Sequence, residues 1–168
     1  MKKILFGLVL CHIFIAGCVK KDTKCSYNDL NTIAPLAEIK SLTDSLDTFN
    51  ITASQHPSGF FYKISGAGTG AGITNLCSNI TVTYKGSFFN GKIFDSTANG
   101  TVATFPLGQV IGGWQKGIPL ISKGGDITLY IPPALGYGAN PRLDSQNNVV
   151  IPANSYLIFN IHIVDIQN

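Results

Sequence analysis

Phe105-Pro106-Leu107-Gly108-Gln109-Val110-Ile111-Gly112-Gly113-Trp114-Gln115-Lys116-Gly117 is the stretch on which the reading of this chain turns. It holds the only Trp among 168 residues, set beside aliphatics and four glycines. Val110 to Ile121 has the look of a short helix, and its Gly and Pro content makes it a poor one. Around it lie short β-rich runs punctuated by Gly, Asn and Pro. Phe60–Ile64, Ile80–Tyr84, Asp126–Ile131 and Tyr156–Ile166 are strand candidates. In the last of these Phe159, Ile161 and Ile163 share one face, while Asn160, His162 and Asp165 interrupt the other. Ser87 to Asp95 reads as a hairpin, with Asn90-Gly91 supplying the positive φ that tight turns need. No strand–helix–strand rhythm and no repeat occurs. The expectation is a small, mainly antiparallel α+β domain over residues 54–168.

Outward from that domain the chain changes character. Lys2 and Lys3 precede an apolar run from Ile4 to Ala16, and the run closes on Ile15-Ala16-Gly17-Cys18. A basic start, about a dozen apolar residues and small residues before a cut site describe a secretory signal rather than a membrane span of roughly 20 residues. Ile-Ala-Gly-Cys matches the bacterial lipobox, so residues 1–17 are expected to be removed and Cys18 to be lipidated. The mature chain would hold 151 residues, and loss of Lys2 and Lys3 would lower the net charge from +3 to +1. No face or run is rich in Lys and Arg, which argues against nucleic acid as a partner. Val19 rather than Asp follows Cys18, favouring delivery to the outer membrane.

Residues 18–53 read as a tether followed by a helix. Residues 18–31 are polar; from Thr32 to Phe49, Ile33, Leu36, Ile39, Leu42, Leu46 and Phe49 fall at helical spacing. That amphipathic helix could pack on the domain or on a twin chain. Of the four cysteines, Cys11 leaves with the signal and Cys18 takes the lipid, leaving Cys25 and Cys77. In an oxidising compartment an even pair suggests a disulfide, the alternative being two unpaired thiols.

Several motifs fail. Gly66 to Gly72 precedes an extended segment, not the helix a dinucleotide loop must open. His56 and His162 have no second ligand at local spacing, so no metal site is expected. What remains is a concentration of Tyr84, Phe94, Phe105, Val110, Ile111, Trp114, Tyr137, Ile151 and Phe159 beside loops. For any one of these, core packing is the simpler account; their order is more telling.

Val82-Thr83-Tyr84-Lys85-Gly86, Asn90-Gly91-Lys92-Ile93-Phe94-Asp95-Ser96, the Phe105–Gly117 stretch, Lys123-Gly124-Gly125, Ile131-Pro132-Pro133, Leu135-Gly136-Tyr137-Gly138, Ile151-Pro152-Ala153 and Leu157-Ile158-Phe159 follow one another in register. This series resembles the FKBP-type peptidyl-prolyl cis/trans isomerases, over roughly residues 55–168. The resemblance implies a five-stranded antiparallel half-barrel wrapped around one short helix, here with an N-terminal lipid-anchored helical extension. It implies that Trp114 floors a pocket walled by Tyr84, Phe94, Phe105, Val110, Ile111, Ile151 and Phe159. Asp95 and Tyr137 would supply polar groups at the rim, Tyr137 as donor to the substrate carbonyl. Tyr137, Asp95, Trp114 and Phe159 would carry the catalysis.

Such chemistry needs no nucleophile, metal or cofactor. The implied partners are proline-containing polypeptides, macrolides such as tacrolimus, and the membrane through the lipid. Two features depart from the family pattern: Pro119 inside the expected helix, and a long loop from Ala139 to Val149 at the pocket mouth. They keep open a non-enzymatic chaperone or peptide-binding module, and a structural component of an envelope assembly.

Overall fold

A computed structural model describes residues 25–28, 31–98 and 100–168. The expected signal segment 1–17, the lipidation site Cys18 and most of the tether lie outside the described residues.

Four strands make the middle of one antiparallel sheet, in the order β2 (Phe61–Gly66), β6 (Asp126–Ile131), β9 (Leu157–Gln167) and β3 (Asn79–Ser87). The far edge of β3 is shared by two short strands. β5 (Ala103–Pro106) pairs with Asn79–Val82, and β4 (Ile93–Ser96) with Lys85–Ser87. The sheet is therefore five strands wide, with β1 (Ser54–Gln55) adding a two-residue ridge outside β2. It is wrapped around one short helix, α2 (Gly112–Gly117).

The expected helix over Val110–Ile121 divides in two. α2 ends at Gly117, and Ile118–Leu120 continues as a 3-10 turn with Pro119 at its start. Pro119 thus breaks no α-helical hydrogen bond, and the departure has little local cost. The glycines have a packing reason. A Cβ on Gly113 would stand 2.6 Å from Ile131 Cδ1, and one on Gly117 2.6 Å from Leu129 Cδ2. Four residues apart on one helix face, they let the backbone of α2 lie directly on β6.

The alternation in β9 sorts its residues between two layers. Leu157, Phe159, Ile161 and Ile163 are buried under α2 with Phe60, Ile80, Val82, Leu107 and Leu129. The opposite face is covered only at one end, by α1 (Leu36–Thr48), which is shorter than the expected Thr32–Phe49. Pro35 occupies the position before the first turn, with φ −56° and ψ 144°, extended as a residue leading into a helix should be. α1 packs on its own domain: Leu42 and Leu46 are buried against Phe61 and Tyr130, with Ile158, Phe89 and Tyr156 around them. Burying each leucine stabilises by about 1.5–3 kcal/mol. Ile33 and Leu36, expected on the apolar stripe, are 67% and 83% exposed, and Ala34 takes the buried position instead.

Two local readings change. In the β3–β4 turn only Gly91 has positive φ, 82°. Its N–H donates to Phe88 O and the Phe88 N–H to Lys92 O, a type I turn closed by a left-handed Gly rather than a tight two-residue turn. The Ala139–Val149 loop folds into a small hairpin of β7 (Arg142–Leu143) and β8 (Val149–Ile151). Cys25 and Cys77 are joined as a disulfide, with Cα atoms 5.6 Å apart.

Candidate active site

Ten residues from seven separate segments converge on one cavity of about 250 Å³: Tyr84, Asp95, Phe105, Gln109, Val110, Ile111, Trp114, Tyr137, Arg142 and Phe159. That volume lies below the roughly 300–1,000 Å³ of drug-sized sites, a scale suited to one ring with its flanking amides.

Trp114, in the first turn of α2, is 4% exposed and forms the floor. Three rings meet it nearly at right angles: Tyr84 at 5.3 Å, Phe159 at 5.2 Å and Phe105 at 6.3 Å between centroids. Edge-to-face contacts of this kind are favourable because ring edges are positive and faces negative, at about 0.5–1.5 kcal/mol each. The indole N–H finds no acceptor among the described residues, so shape rather than a hydrogen bond holds the ring. Gln115 steadies the approach to α2 by donating from Nε2 to Val110 O at 2.8 Å, which fixes the segment presenting Val110 and Ile111.

Asp95 and Tyr137 are the polar groups expected at the rim. Tyr84 on β3 donates its hydroxyl proton to Asp95 Oδ2 on β4 at 2.6 Å. Burial, then this hydrogen bond and the Asp95 charge, push the Tyr84 phenol well above its ordinary value, so it stays a donor. The Tyr137 hydroxyl, which also lines the cavity, finds no acceptor among the described residues. Burial raises its pKa too; the nearby Arg142 guanidinium works against that shift and the Asp95 charge adds to it. The Arg142 guanidinium lies over the Tyr137 ring, its Cζ 5.1 Å from the ring centre.

Two expected wall residues stand one layer back. Phe94 packs behind Phe159, edge to face at 5.4 Å, and against Phe88 at 5.0 Å. Ile151 is buried on β8 opposite Arg142. Two wall residues escaped the sequence reading. Gln109 sits inside the decisive stretch, between residues that drew attention for their apolarity. Arg142 carried one signal, being the only Arg in the chain.

The arrangement offers an apolar ring-sized slot with a phenol donor on its rim. Residues 74–164 match the family described as FKBP-type peptidyl-prolyl cis-trans isomerase. The FKBP-type peptidyl-prolyl cis-trans isomerase FkpA of Buchnera aphidicola is 48% identical over 116 residues, which are 68% of this chain and 44% of that protein. Outer membrane protein MIP of Legionella longbeachae is 40% identical over 112 residues, 66% of this chain and 46% of that one. The chain thus matches less than half the length of these relatives. The crystal structure of FkpA from Escherichia coli superposes with a TM-score of 0.65 at 30% identity, over 78% of this chain and 60% of that one. With the matched segment running from just before β3 through most of β9 and enclosing the cavity, the chain belongs to the FKBP-type peptidyl-prolyl cis-trans isomerase family.

Proposed function

We propose that this protein is a peptidyl-prolyl cis/trans isomerase that assists the folding of exported proteins. The observation that carries the proposal is the Trp114-floored cavity, walled by perpendicular aromatic rings and lined by Tyr137, whose hydroxyl no described residue engages. An X–Pro bond isomerises in tens to hundreds of seconds unaided, behind a barrier of about 18–20 kcal/mol that reflects lost amide resonance. A twisted amide separates less charge than a planar one. An apolar cavity therefore binds the twisted state better than the planar ground state, and only such differential binding accelerates the step. In this reading Trp114, Phe159, Phe105, Val110 and Ile111 hold the proline ring. Tyr137 donates to the carbonyl of the residue before it. Asp95, already accepting from Tyr84, sets the polarity of the rim and moves no proton. Phe94 and Ile151 support the wall from behind.

We also propose that residues 1–17 direct export and that Cys18 carries the lipid, with a tether and helix over 18–53 and the isomerase domain over 54–168. The name of the Legionella relative, an outer membrane protein, is in keeping with an envelope location and outer-membrane anchoring. Macrolides such as tacrolimus would compete for the same slot.

The test is prolyl isomerisation by residues 19–168, with and without tacrolimus. Acceleration that the drug suppresses is the expected result. A folded protein without turnover would overturn the enzyme reading and leave a peptide-binding module in its place.

A further inference from the structure

Arg142, the only arginine of the chain, is a positioned cation at the cavity mouth. Its backbone is fixed on both sides. It pairs with Ile151 across the β7–β8 hairpin. The turn beyond it is tied by Asp144, whose carboxylate accepts from the Gln146 and Asn148 N–H groups and from Asn148 Nδ2. The guanidinium lies over the Tyr137 ring, its Cζ 5.1 Å from the centroid, and a planar guanidinium carries its N–H donors on its edge. Among the described residues no carboxylate is within salt-bridge range of it; the ion pairs there involve Lys40, Lys123 and His162. Asp95, the other charged group lining the cavity, has one carboxylate oxygen engaged by the Tyr84 hydroxyl.

A planar cation with five fixed donors matches a carboxylate. In the proposed reaction the Tyr137 hydroxyl meets the carbonyl of the residue before proline. In that pose a cation held over the Tyr137 ring would be a neighbour of that same residue. Resting on the isomerase reading, we infer that Arg142 is a specificity-determining residue, favouring chains with Glu or Asp immediately before the proline and disfavouring Lys or Arg there.

The test compares kcat/KM for acetyl-Ala-Xaa-Pro-Phe-amide peptides with Xaa Glu, Gln or Lys, read by NMR exchange, on residues 19–168 at low salt. The ratio between peptides is the readout, not the rate. A single exposed charge contact changes a rate by only a few fold, so the Glu-to-Lys ratio should be roughly three to ten. It should shrink in 0.5 M NaCl, where the screening length is only a few ångströms. Arg142→Gln should bring the ratio near one, Arg142→Glu should invert it, and Arg142→Lys, which keeps the charge, should retain most of it. Equal kcat/KM for the three peptides with the unaltered protein would overturn the inference. So would an Arg142→Gln variant that slows all three alike while keeping the ratio, since Arg142 would then only prop Tyr137. If no peptide is turned over at all, the isomerase reading falls and the inference falls with it, an outcome distinct from turnover without selectivity.

Discussion

The two faces of the sheet carry similar apolar clusters and treat them oppositely. On the concave face Trp114, Tyr84, Phe105 and Phe159 meet edge to face around space that no side chain of the described residues fills. On the convex face Phe61, Tyr130 and Ile158 would be as open, but Leu42 and Leu46 of α1 close over them. Beyond the reach of α1 that face turns polar, with His162 Nδ1 2.9 Å from Asp126 Oδ1 and Thr128 donating to Asn160 at 3.0 Å. Apolar residues in a cluster do not by themselves make a site. The difference lies in whether the chain supplies its own filler. Unfilled apolar space forfeits contact energy, so a fold that keeps it open on one face while sealing it on the other is poised to receive something there.

If the faces are independent, substitutions should separate stability from turnover. The largest effect is expected on the sealed side, where Leu42→Ala should lower unfolding stability by about 2–5 kcal/mol in a urea titration. Turnover of the folded fraction should not change. A matching fall in turnover would mean that the clusters communicate through the sheet. On the open side, Trp114→Ala removes the surface that three rings abut and admits water. It should lower kcat/KM ten- to hundredfold, equivalent to about 1.4–2.8 kcal/mol. Tyr137→Phe deletes one neutral donor, worth about 0.5–1.5 kcal/mol, and should slow the reaction roughly twofold to tenfold; an unchanged rate would assign catalysis to the apolar wall alone.

The smallest effect is on pH dependence. Tyr84 and Tyr137 are both raised above the ordinary tyrosine value of about 10, so both remain donors there. Turnover should stay level from pH 7 to about 10, and a decline centred well below 10 would contradict the assignment. Stability, by contrast, should respond at high pH. Above pH 10 the unfolded chain loses phenolic protons that the folded protein keeps, so stability present below pH 10 should fall as pH rises toward the folded pKa values.

The parts of the fold that showed in the sequence are those governed by local periodicity. Phe159, Ile161 and Ile163 alternate because β9 is covered on one face, and that pattern is visible without the structure. The order of the motifs brought Tyr84, Trp114 and Tyr137 to one place on paper, though they lie on separate elements. What escaped depends on tertiary contacts. β5 is four residues long and exists because β3 extends an edge beside it. The β7–β8 hairpin is too short for any pattern and is organised by the Asp144 carboxylate, held below its ordinary pKa chiefly by hydrogen bonds from Asn148. Arg142 gains its place only when that hairpin brings it over Tyr137. In α1 Leu42 and Leu46 keep the expected spacing, but the helix begins after Pro35 and leaves Ile33 and Leu36 in solvent, which no periodicity announces.

The Cys25–Cys77 bond fixes how far the domain can stray from whatever holds the N-terminal segment. Just past the bond, Tyr27 packs on Gly108 and its hydroxyl oxygen accepts from Gln109 Nε2 at 2.6 Å, on the wall of the cavity itself. With a lipid on Cys18, as proposed, only six residues would separate anchor from clasp, a leash of seven residue steps, at most about 25 Å. Opening the bond and freeing the chain up to Ala34 would lengthen the leash to sixteen residue steps, about 55 Å at full stretch. On that proposal the oxidised protein would keep the rim of its cavity within a short leash of the bilayer, and the reduced protein would reach further out.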